Sequence, residues 1–223
     1  MALFVTANLG RHVDTREFLA NVRAIDDETG AGAVIGFQEI DEADTPNEHH
    51  GLRQVLDGYS WAGWSTREPL ALGGRWTVHR DDVRKGAPGL ERLSPARTIT
   101  EADARHASGA ELTFLDLHYP RNDPRLLSRW NQLRAAHQDR VLASIARGRT
   151  VVWFSDVNRV RFPKFHPAER TLAHHGLDWI RCVEHPAGAQ VHVVDSGSID
   201  LTIDGHDAQW VRVALHTPLG GTP

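Results

Sequence analysis

Short apolar runs of strand length recur along this chain and end on a polar side chain, and that habit limits what the chain can fold into. Val151-Val152-Trp153-Phe154 leads into Ser155-Asp156-Val157-Asn158, LFVTAN (3–8) ends on Asn8, AVIGFQEI (33–40) carries Gln38 and Glu39 near its end, and ELTFLDLHY (111–119) alternates up to His118. Such runs predict buried strands. Between them, Asp14-Thr15-Arg16-Glu17 has the form of a capping box, opening a helix on which Phe18, Val22 and Ile25 keep helical spacing. Leu126, Trp130, Leu133, Val141 and Ile145 mark one face of a long amphipathic helix over about 124–146, ended by Gly148. Strand, helix, strand in succession predicts an α/β chain whose sheet is covered by helices.

The rest is less regular. A short helix carries Leu52, Val55 and Leu56, and strands are expected at YSWAGW (59–64) and RWTVHR (75–80). RKGAPG (84–89) and the Ala-rich TITEADARHASGA (98–110) read as loops, and 168–175 as a helix. Three strands, QVHVVD (190–195), SIDLTI (198–203) and QWVRVALH (209–216), close the chain. With 223 residues and no repeat or linker, one domain over 1–218 with a frayed tail at 219–223 is expected. Cys182 is the only cysteine, which rules out an internal disulfide and a Cys-rich zinc site. Hydrophobic residues make up 40% of the chain, in no run long enough to span a bilayer, and MALFVTANLG lacks a basic leader. A cytoplasmic protein without a membrane partner is the expectation.

In open α/β sheets, ligands bind in the crevice beyond the strand ends. Asn8, Glu39, His118, Asp156, Asn158 and His216 all stand at such ends. In order and rough spacing, TANLG, GFQEI, LDLHYP, VVWFSDVN, SIDLTI and ALHTP resemble the motifs of the endonuclease/exonuclease/phosphatase superfamily, which includes deoxyribonuclease I. The resemblance covers almost the whole chain. It implies a four-layered α/β sandwich, two mixed β-sheets packed face to face and flanked by helices. It also implies a phosphoester hydrolase dependent on Mg2+ or Mn2+, with DNA or RNA as the expected substrate.

The site residues follow motif by motif. Glu39 would anchor the metal, with Asn8 as a neutral ligand or a support behind it. Asp156 would polarise the attacking water and Asn158 hold a water or phosphate oxygen, unless the two simply form an Asp/Asn turn. His118 matches the donor to the scissile phosphate, and Asp200 matches the aspartate that orients His216. Arg121, Arg159, Arg161 and Lys164, with Arg125, would rim the crevice and bind substrate phosphates, or else form a solvated face. The formal net charge of −4 leaves such a basic edge local.

Two departures stand out. Ser155-Asp156-Val157-Asn158 replaces the family's Gly-Asp-Phe-Asn, keeping both polar groups. Ala214-Leu215-His216 replaces Ser-Asp-His, which removes a carboxylate and predicts weaker metal binding unless Asp204 or Asp207 supplies one. The alternatives are a phosphatase or phosphodiesterase for small phosphates or lipid headgroups, and a weakened relative that only binds nucleic acid or protein. Zinc on the EHH and HH pairs has no HExxH-like spacing behind it.

Overall fold

Two strand–helix–strand units set the architecture. In a computed structural model describing residues 1–10, 14–41, 47–202 and 206–217, β1 (Ala2–Asn8), α1 (Thr15–Thr29) and β2 (Ala33–Gln38) form the first. The second is β7 (Glu111–His118), α3 (Leu127–Ala146) and β8 (Thr150–Asp156). In each unit the two strands pair in parallel, β1 with β2 and β7 with β8, a pairing that requires a crossover such as a helix. Asp14 caps α1 by accepting the Glu17 N–H at 2.9 Å, as the capping-box pattern predicts.

Antiparallel strands extend each pair. Around β1 and β2 lie β3 (Ser60–Ala62), β4 (Leu70–Leu72), β11 (Gln190–Ile199) and β12 (Ala208–His216), in the order β11-β12-β1-β2-β4-β3. Around β7 and β8 lie β5 (Trp76–Ala87), β6 (Arg97–His106), β9 (Glu169–His175) and β10 (Asp178–Val183), in the order β5-β6-β7-β8-β10-β9. A short helix α2 (Glu48–Val55) packs beside α1.

Three buried clusters separate four layers. Phe4, Val34, Phe114, Val152, Phe154 and Ile180 fill the space between the sheets. Val5, Ile35 and Phe37 face the helix residues Phe18, Val22 and Ile25. Leu115, Leu117, Val151 and Trp153 lie under Trp130, Leu133 and Val141 of α3. This explains the unbroken VVWF run, because alternate residues of β8 enter different cores and neither face meets water. The expected α/β sandwich of two mixed sheets is what forms.

Several local expectations give way. The stretches read as loops belong largely to β5 and β6, and 169–175 is the strand β9, not a helix. In β6, Ala102 and Ala104 enter the inter-sheet core while buried Glu101 is held by Arg80, Arg140 and Arg147. Neither alanine nor a buried acid signals a strand in sequence, and the compensating arginines come from β5 and from α3 and its C-terminal end. Glu169 likewise sits buried against Trp153 Nε1 at 3.1 Å. QVHVVD and the start of SIDLTI join in the single strand β11. Cys182 is buried in the inter-sheet core. The tail at 219–223, with Asp204, lies outside the described residues.

Candidate active site

Along each central strand the inward-facing side chains pass from apolar to polar toward the same edge of the sandwich. The series are Phe4-Thr6-Asn8, Val34-Gly36-Gln38, Phe114-Asp116-His118 and Val152-Phe154-Asp156. The parallel pairs bring their C-terminal ends to one mouth between the sheets, where the polar ends meet. Gln38 Nε2 donates across the sheets to Asp116 Oδ1 at 2.6 Å, and Asn8 Nδ2 to Asp156 Oδ2 at 3.0 Å.

Asp156 is the centre of the group. In register it lies between His118 on β7 and Asp178 on β10. Its Oδ1 accepts the Asn158 N–H at 2.7 Å, and its Oδ2 lies 3.5 Å from His118 Nε2 and 4.0 Å from His206 Nε2. Burial, followed by the charge of Asp178, pushes its carboxyl well above the ordinary aspartate range. Asp178 is also buried, and its Oδ2 lies 3.1 Å from His206 Nδ1. Burial alone would lower the His206 pKa, but the hydrogen bond and charge of Asp178, then Asp156 and Glu39, hold it raised. An imidazole so backed gives its Nδ1–H to the carboxylate and turns Nε2 toward Asp156.

Glu39 follows β2 with φ of +65°, a left-handed backbone that turns its side chain into the mouth, where Oε1 is 3.4 Å from His118 Nε2. A Cβ added at Gly10 would stand 1.7 Å from Glu39 Oε2, so the glycine makes the cradle for this carboxylate. Asn8 supports from behind, since its Oδ1 accepts the Gly10 N–H at 3.0 Å while its amide nitrogen holds Asp156. Asn158, with φ of +52°, forms an Asx turn with Asp156 and donates to the Tyr119 carbonyl at 2.9 Å. The turn reading of Asp156 and Asn158 therefore holds locally, and it ties the ends of β7 and β8 together.

Of the residues singled out from sequence, Asn8, Glu39, His118, Asp156 and Asn158 come together. Asp200 and His216 do not. In the β11–β12 hairpin Ile199 faces Ala208 while Gln190 faces His216, so the two lie at opposite ends of β12. Nine residues at ~3.3 Å each separate those ends by roughly 30 Å. Both are exposed, and His216 stacks edge-on with His192. The histidine at the mouth is His206, and its partner is Asp178. Leu215 packs against the inter-sheet core, so it removes no carboxylate from this site. The available signal was Asp204-Gly205-His206, an acid and a histidine just before β12; antiparallel pairing with β1 makes the start of β12, not its end, meet Asn8. Asp178, opening a strand after Gly176, carried no such signal.

The basic residues divide. Arg121 is exposed and donates to the Leu93 carbonyl at 3.4 Å, and Arg125 pairs with Asp123 at the start of the α3 segment. Arg159 lies 3.8 Å above the Trp130 ring. Arg161 and Lys164 are exposed.

Asp156, Asp178 and His206 each offer a ligand atom, all within 4.8 Å of one another, a group that could hold a divalent cation. The residues fit such an ion. Glu39 adds a third carboxylate at the mouth, two of the acids are held above their ordinary range, and Asp178 Oδ1 is buried with no hydrogen-bond partner among the described residues. Oxygen-rich, negatively charged surroundings of this kind suit a hard cation.

No protein-family model and no curated protein matches the sequence. Solved structures do match in fold. An endonuclease/exonuclease/phosphatase from Bacteroides vulgatus is 15% identical with a TM-score of 0.71, covering 96% of this chain and 98% of that one. TDP2 from D. rerio, in complex with a single-strand DNA product, is 13% identical with a TM-score of 0.73, covering 94% and 97%. A mannosyl-6-phosphatase from Bacteroides thetaiotaomicron is 12% identical with a TM-score of 0.65, covering 96% and 100%.

Proposed function

We propose that this chain, which has the fold of endonuclease/exonuclease/phosphatase proteins, is a metal-dependent phosphoester hydrolase acting on phosphodiesters of DNA or RNA. The observation that carries the reading is the group Asn8, Asp156, His206 and Asp178, gathered between the two sheets beside Glu39 and His118, with Asn8 bonded to Asp156, His206 bonded to Asp178 and Asp156 4.0 Å from His206. Glu39 would hold the Mg2+ or Mn2+, with Asp156 and Asp178 within reach of the same mouth. What such a bound ion supplies is neutralisation of charge on the phosphoryl oxygens. Asp156, fixed by Asn8 and Asn158, orients the attacking water and takes its proton. His206, with Nδ1–H on Asp178, presents Nε2 to a phosphoryl oxygen and places positive charge where negative charge grows. Asn158 braces His118 and Asp156 so that the two face the same phosphorus.

The exposed Arg121, Arg161 and Lys164, in the segments that follow β7 and β8, support a polymeric phosphodiester substrate. One observation favours a second reading. A pocket of about 510 Å³ between Arg67 and the 89–95 hairpin, with Glu91, Arg92 and Ser94 on its wall, suits a small phosphorylated ligand. Plasmid, single-stranded DNA, RNA, an abasic duplex and inositol and sugar phosphates, each with Mg2+, Mn2+ or EDTA, separate the readings. Diester cleavage that EDTA abolishes is expected. Release of phosphate from monoesters alone would favour the phosphatase, and no turnover of any substrate would leave a binding protein.

A further inference from the structure

The two histidines at the mouth are backed by opposite charges. Behind His206 stands the Asp178 carboxylate; behind His118 stands Arg97, a buried guanidinium whose Nη1 lies 2.8 Å from His118 Nδ1. Arg97 opens β6, which pairs with β7, and Glu68 lies 3.9 Å from the same nitrogen. Glu68 in turn accepts the Thr98 hydroxyl at 2.6 Å, so the guanidinium is fixed from behind.

A guanidinium only donates hydrogen bonds, so His118 Nδ1 must accept. A neutral imidazole then carries its proton on Nε2, the nitrogen 3.4 Å from Glu39 Oε1 and 3.5 Å from Asp156 Oδ2. The competing arrangement has Nε2 accepting from the Asn158 amide nitrogen 3.0 Å away, which would set an Nδ1–H against the Arg97 N–H. The bond to the charged donor outweighs the neutral one, and the Asn158 amide keeps its bond to the Tyr119 carbonyl through its other N–H.

We infer that Arg97 is a positioning residue that fixes His118 with Nδ1 as an acceptor and its proton on Nε2, so that His118 serves as a fixed hydrogen-bond donor to a substrate phosphoryl oxygen. The two histidines are thereby oriented in opposite senses: Nδ1 of His206 faces an acceptor, Asp178, and Nδ1 of His118 faces a donor, Arg97. The inference rests on the phosphoester reading for its substrate, and on the Arg97–His118 contact alone for its tautomer.

Long-range ¹H–¹⁵N correlation spectra of the full chain near neutral pH, assigned by comparison with His118→Gln, read the tautomer directly. A protonated Nε2 and a bare Nδ1 are expected. Arg97→Lys, which keeps a donor, should retain this pattern and most of the turnover. Arg97→Met should mix the tautomers and lower kcat about tenfold or more with little change in KM. If Arg97→Met fails to fold because Glu68 loses its counter-charge, Arg97→Met/Glu68→Gln removes that acid and gives the same reading. A proton on Nδ1 in the parent, or a tautomer indifferent to Arg97→Met, overturns the inference. The spectrum needs no turnover, so an inactive chain with the expected tautomer would sink the phosphoester reading and leave this one standing.

Discussion

Asp178 is held in the fold at a cost. It is buried, its Oδ1 has no hydrogen-bond partner among the described residues, and burial keeps its carboxyl above the ordinary range against the pull of His206. A side chain retained under those conditions acts through its neighbour, and the tautomer control it gives His206 is lost if either member goes. Asp178→Ala and His206→Gln should each lower kcat/KM on a generic phosphodiester by about 10²-fold, and the double variant by little more than the worse single one. Additive losses would mean that the two act independently. His216→Gln should leave the rate unchanged, and Leu215→Asp should destabilise by about 1–3 kcal/mol while leaving the metal requirement alone, because that side chain packs into the core. A shift in the half-maximal metal concentration with Leu215→Asp would return the end of β12 to the site.

At the scale of elements, the turns after the central strands aim the chemistry. Glu39 leaves β2 in a left-handed backbone that costs a non-glycine residue about 1–2 kcal/mol, and it has room only because Gly10 lacks a side chain. Glu39→Gln should keep the fold, weaken metal dependence and cut turnover by about two orders of magnitude. Gly10→Ala should approach the same loss by displacing the carboxylate, with the circular-dichroism spectrum unchanged; full activity in that variant would remove Glu39 from the reaction. The segment after β8 separates its cations. Arg159 is spent on the Trp130 ring, so its removal should loosen the packing on α3, whereas Arg161→Gln/Lys164→Gln should raise KM and flatten its salt dependence. An unchanged salt slope would make that pair an ordinary solvated face.

For the whole molecule, the space between the sheets passes from an apolar floor to a polar mouth, and Asp116 sits at the passage. It is wholly buried, and burial raises its carboxyl well above the ordinary value even though the Gln38 hydrogen bond lowers it. Because the folded value is the higher one, the unfolded chain releases this proton first. The contribution of Asp116 is therefore intact below about pH 4 and is lost as pH rises toward the folded value. Asp116→Asn should match the parent in Tm near pH 4 and exceed it increasingly toward pH 8, at ~2–4 °C per kcal/mol for a chain of this size. Thermal scans across that range test it, and a pH-independent difference would mean that Asp116 stays charged in the fold.

The part of the fold legible in the sequence is local. Strand parity places Asn8, Gln38, His118 and Asp156 on inward positions, the capping box starts α1, and the spacing of Trp130, Leu133 and Val141 builds α3, because each depends on neighbours a few residues away. Pairing across the chain lies beyond such rules. The choice of His206 over His216 turns on β12 running antiparallel to β1, and Asp178 enters only because β10 lies beside β8. Glu101 and Asp103 look like loop residues until Arg80, Arg140 and Arg147 arrive to neutralise them. Charge behind a histidine is likewise supplied by another strand, Asp178 from β10 and Arg97 from β6. Sequence alone therefore determined which polar residues stand at strand ends, and tertiary structure decided which of them meet, since a partner's charge acts through distance in space and not along the chain.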